Sequence, residues 1–196
     1  MNTTRIFKSM LLLAALLLAP SLAHAHVGVG PTNGFLHGVA HPISGLDHIC
    51  AMVAVGLWAA QRGGRAIWAV PLTFVTVMML GGALGMAGVA IPFVEKGIVV
   101  SVLMLGVFIA AAVRLPLVAS VIIVGLFAIF HGHAHGAEMP DTASGLAYGA
   151  GFVLATAFLH AVGIGFGILL QRLASAQWVR AAGGVIAGCG VYMLFA

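Results

Sequence analysis

The chain has 196 residues, 62% of them hydrophobic and 6% charged, with a mean hydropathy of +1.18. So small a charged fraction cannot cover a water-soluble domain, and lipid is the expected solvent for most of the chain. The formal net charge of +4 does not point to nucleic acid, because the basic residues stand singly or in a pair at the ends of hydrophobic segments, where they orient a membrane protein.

Residues 1–25 read as a signal peptide. Arg5 and Lys8 form the charged start, residues 10–19 an apolar core, Pro20 a break, and Ala23-His24-Ala25 a small-residue cleavage site. A core that short cannot span roughly 30 Å of hydrocarbon. Cleavage after Ala25 would leave His26 as the first residue, with a free amine and an imidazole that together can chelate metal.

The remaining residues, 26–196, read as one all-α membrane domain, a bundle of six transmembrane helices. The expected segments are 34–60, 66–90, 93–113, 115–135, 142–170 and 177–195, each near the length of about 20 residues that a membrane-spanning helix needs. Pro42 and Gly45 interrupt the first. Asp141-Thr142, after Pro140, reads as the helix cap that opens the fifth. Gly81/Gly85, Gly145/Gly149, Gly163/Gly167 and Gly184/Gly188 are small-xxx-small pairs expected to let helices approach closely. Cys50 and Cys189 lie in apolar runs without CxxC spacing, so no structural disulfide is expected.

Orientation follows from the arginines. Arg62 and Arg65 lie between segments one and two, Arg114 between three and four, and Arg172 and Arg180 between five and six. All fall on one side, which the positive-inside rule makes cytoplasmic. The chain is thus expected in a bacterial inner membrane, with both mature termini in the periplasm. One metal motif at the start of each half is compatible with an inverted repeat.

Polar groups inside a bilayer are expensive, and here they are mostly histidines in two groups. The first is His37, His41, Asp47 and His48; on a continuous helix the three histidines would share a face. The second is His131, His133, His135 and Glu138, in which His131, His135 and Glu138 follow i, i+4, i+7 and His133 points away. At 1.5 Å per residue, Asp47 lies roughly 20 Å above Arg62, His131 roughly 25 Å above Arg114 and His160 roughly 18 Å above Arg172. Three helices would therefore bring metal-binding side chains to similar heights. Imidazole and carboxylate together suit Ni²⁺, Co²⁺, Zn²⁺ or Cu²⁺ better than Mg²⁺ or Ca²⁺.

His41-x5-Asp47-His48 resembles one signature of the HupE/UreJ family of nickel permeases. Phe130-His131-Gly-His133-Ala-His135-Gly-Ala-Glu138 resembles the second. The resemblance extends to the leader, the His26-Val27-Gly28 start and the six-segment layout. It implies nickel, with cobalt in some members, and a link to hydrogenase or urease maturation proteins.

The leading expectation is a permease and not an enzyme, with no permanent cofactor, Ni²⁺ as cargo, and a homo-oligomer left open. His133, His135 and Glu138 would capture the ion and pass it to His41, Asp47, His48 and His131. No GxxxxGK[ST] loop is present, so gradient or membrane potential would drive entry. Two rivals are an intramembrane metalloenzyme, which lacks an HExxH run here, and a metal sensor or accessory subunit.

Overall fold

The computed structural model describes residues 34–139 and 144–196. The signal peptide and His26 lie outside them, as does the Asp141-Thr142 cap. The described residues form seven helices and no strand: α1 (Gly34–Ser44), α2 (Leu46–Arg62), α3 (Ala66–Met86), α4 (Val94–Ala110), α5 (Leu117–Ala137), α6 (Gly145–Leu173) and α7 (Ala176–Phe195).

The interruption in the first segment falls at Gly45, where α1 and α2 meet at 82°. Pro42 is accommodated inside the last turn of α1, which ends two residues later with Ser44 Oγ donating to the His41 carbonyl (2.7 Å). Gly45 is extended (φ −97°, ψ 125°), and a Cβ there would sit 2.6 Å from Asp47 Oδ1. The absent side chain leaves room for Asp47 to fold back over the break.

Helices α3, α5, α6 and α7 are long and apolar enough to cross a bilayer, and α1 with α2 passes the same test as one bent span. Helix α4 is shorter than the expected third segment, with 17 residues and Glu95 and Lys96 in its first turn. It is bounded by Phe93 (φ 59°) and, two residues past its end, Ala112 (φ 54°), whose left-handed backbones stop helix propagation. Ser144 caps α6, its Oγ accepting from the Ala147 amide (3.5 Å). Large apolar side chains such as Trp68, Leu80, Leu126 and Phe158 face outward, as a lipid-embedded bundle requires.

Glycine sets which helices touch. A Cβ on Gly132 of α5 would collide with the Met78 carbonyl of α3, and one on Gly81 would meet the Ile129 carbonyl at 2.5 Å. Gly163 of α6 packs likewise on Val53 and Leu57 of α2. Two of the expected pairs therefore form seams. The other two do not: Gly149, Gly184 and Gly188 have nothing near the place of a Cβ, and α7 instead meets α4 through Gly183 and Gly190. That face is set by helical phase against the neighbour, which a four-residue spacing alone does not reveal.

Candidate metal centre

Asp47 occupies the first turn of α2, where the helix dipole favours an anion. Its Oδ1 accepts from the His48 amide (2.9 Å) and lies 2.9 Å from His48 Nδ1. A carboxylate only accepts, so a neutral His48 carries its proton on Nδ1 and keeps the Nε2 lone pair. That Nε2 is buried and has no hydrogen-bond partner among the described residues. A carboxylate holding one ring nitrogen while the other stays free is how metal-binding histidines are oriented.

The histidines of α1, α2 and α5 converge. His41 is 4.5 Å from His135 between ring centroids, His135 is 4.2 Å from His48, and His48 is 4.9 Å from His131. His41 Nε2 lies 3.1 Å from Glu138 Oε2. One ligand atom each from His41, His135 and Glu138 lies within 4.8 Å of the others, close enough to share a cation. His41 thus belongs with the outer group, where the sequence had suggested a deeper one. The break at Gly45 puts His48 on a different helix from His41, yet both face His135. His37 stands behind His41 at 6.3 Å.

Ser101 of α4 holds His131. Its single proton goes to the Ile98 carbonyl (2.6 Å), so at 2.8 Å from His131 Nε2 it accepts. His131 is therefore protonated on Nε2, and its Nδ1, fully buried, keeps a lone pair with no hydrogen-bond partner among the described residues. Both ring nitrogens of His135 are likewise unpaired. Buried polar atoms are nearly always satisfied, so such a run of unpaired nitrogens marks a place for a ligand.

The walls are aromatic. Phe152 lies tilted against His135 (4.1 Å between centroids) and Tyr148 lies 6.2 Å from His41. Deeper, Phe74 of α3 contacts both His131 (5.5 Å) and His160 (5.2 Å). His160 is 2% exposed, and neither of its nitrogens has a hydrogen-bond partner among the described residues, so it continues the series past Phe74. His133 does turn away from the others, but it is buried: its Nε2 donates to the Val89 carbonyl (2.6 Å). Sequence reasoning missed Ser101, Phe74, Tyr148 and Phe152. Ser101 carried a signal, being a hydroxyl in an otherwise apolar run that must find a partner in lipid.

The family model described as HupE / UreJ protein matches residues 13–193. The chain belongs to the HupE/UreJ family. It is 50% identical over 182 residues to Protein HupE of Rhizobium leguminosarum bv. viciae, covering 93% of this chain and 94% of that relative. No solved structure matches it. HupE/UreJ proteins form a transport and accessory family, associated with nickel or cobalt and with hydrogenase or urease, and are not an enzyme family. The His41/Asp47/His48 and His131/His135/Glu138 groups that carried the resemblance are those that the fold of this HupE/UreJ member brings together.

Proposed function

We propose that this chain is a permease that takes up Ni²⁺, with Co²⁺ as a second cargo, from the periplasm into the cytoplasm for hydrogenase or urease maturation. The observation that carries the reading is the series of facing imidazoles from separate helices, His41, His135, His48 and His131, with unpaired nitrogens and two carboxylates beside it. His41, His135 and Glu138 capture the ion. His48 and His131 receive it through Nε2 and Nδ1, Asp47 orients His48 and offsets charge, and His160 is the innermost stop. Neutral imidazoles replace lost waters one at a time, so no stop binds as tightly as a structural site. His37 lies toward the entrance, and after leader cleavage His26 would offer its amine and imidazole to the ion; His133 braces α5 against the turn after α3.

Six crossings fit this reading. Thr73 and Val77, Met78 and Gly82, and then Gly85 of α3 meet Gly125, Gly132 and residues 136–137 of α5 in turn, so the two helices run the same way, and α4 between them must return across the bundle. Helix α2 runs parallel to α6 in the same manner, with Val53 beside Gly163 and Ala60 beside Gly167. Together with the one-sided arginines, this supports an inner-membrane protein with both mature termini outside and an inverted pairing of its halves. The membrane potential then favours entry by about 2.3 kcal/mol per charge per 100 mV.

Reconstitution of the purified chain in liposomes, followed by ⁶³Ni counting, tests the reading. Entry without another protein is expected. Tight binding with no entry would leave a sensor or a metalloenzyme.

A further inference from the structure

The opposite end of the bundle carries a second site. A cavity of about 120 Å³ lies among the ends of α2, α6 and α7 and the turn after α4, lined by Gln61, Arg62, Arg114, Gln171 and Arg180. Three arginines thus border one small space with no carboxylate in its wall. Of the acids, Asp47 is at the far end of α2, Glu95 opens α4, Glu138 follows α5, and Asp141 lies outside the described residues.

Capping of nearby helix ends accounts for part of this charge. Arg180 Nε donates to the Ala110 carbonyl at the end of α4 (2.8 Å). It does not account for the rest. Arg62 Nε is buried and has no hydrogen-bond partner among the described residues, nor has Gln61 Oε1, while Gln61 Nε2 and Gln171 Nε2 are committed to carbonyls. The first turn of α7, through Ala176 and Val179, also faces the cavity without a capping side chain, adding the positive end of a 20-residue helix. Three cationic residues around one cavity favour a counter-anion, and planar guanidinium groups match phosphate oxygens.

We propose that this cavity binds a phosphate group, supplied by the headgroup of an anionic phospholipid or by free inorganic phosphate. The position at the helix ends is where a bilayer presents headgroups, and basic pockets between helices on the cytoplasmic side bind them. The bound group would tie α2, α6, α7 and the α4–α5 turn together at the inner end. This inference does not depend on the identity of the transported metal.

Native mass spectrometry and thermal unfolding of the full chain in detergent test it, with phosphatidylglycerol, phosphatidylcholine or inorganic phosphate added. Phosphatidylglycerol should be retained over phosphatidylcholine and should raise the unfolding temperature. Arg114→Gln should weaken that retention about fivefold, as loss of one cation near an anionic surface does. Arg172→Gln removes the same charge from the same end but does not line the cavity, and should change retention little. Arg180→Lys serves as a second variant, keeping the charge. A rise with inorganic phosphate alone, sensitive to Arg114→Gln, assigns the site to free phosphate. Equal retention of both lipids with no phosphate effect overturns the proposal, as does an equal response of Arg114→Gln and Arg172→Gln.

Discussion

The two ends of the bundle are electrostatic opposites. At one end Asp47 and Glu138 stand among histidines whose free nitrogens are buried, and no arginine among the described residues lines the site. At the other end Arg62, Arg114 and Arg180 share a cavity without an acid. A cation is attracted at the first and repelled at the second, so on the proposed permease reading the first would admit the ion and the second would need a bound anion to let it pass. The contrast teaches that this fold spends its few charges at its ends and leaves the middle to neutral donors.

Substitutions can break that contrast. The largest effect is expected at Asp47. Asp47→Asn removes the acceptor that orients His48 and the charge beside it, and nickel entry into liposomes should fall about 100-fold, the upper range for loss of a ligand-orienting group. Near-normal entry from an inserted protein would show that the entrance does not depend on its acid. Ser101→Ala should cost about tenfold in entry, while Ser101→Thr, which keeps the hydroxyl, should restore it. If both variants behave alike, the hydroxyl does not set the His131 nitrogen.

Acid offers a milder perturbation. A protonated imidazole has no lone pair for a metal, so entry should weaken in acid as the ligand histidines take up protons. Nickel binding that persists in acid until the protein itself unfolds would remove the histidines from the pathway. The smallest effects concern packing. Gly132→Ala sets a methyl against the Met78 carbonyl and should lower stability by about 1–3 kcal/mol in detergent unfolding. Gly188→Ala, with open space at that position, should leave stability unchanged or raise it by up to about 1 kcal/mol. Equal losses at both would mean that the α3–α5 seam is not what fixes α5.

Much of this was legible in the sequence. Hydropathy placed α3 to α7 within a few residues, because in lipid the backbone must satisfy itself and a long apolar run has few alternatives. The i, i+4, i+7 spacing of His131, His135 and Glu138 identified one face correctly, since α5 is unbroken. The first motif was harder: Gly45 turns the chain by 82°, so His48 reaches His135 from another helix and not along a shared face. Spacing cannot report a bend. Nor could it show that Ser101 meets His131, a pairing set by how α4 packs on α5. The glycine pairs failed on α7 for the same reason: the spacing is local, but which side of the helix meets α4 is a tertiary matter.

Nickel K-edge X-ray absorption on the nickel-loaded chain bears most directly on the entrance. A first shell containing imidazole nitrogens is expected, with the imidazole signal diminished in both His135→Ala and His48→Ala. A shell of oxygen alone, the same in the parent chain and in both variants, would mean that no cation rests among these histidines.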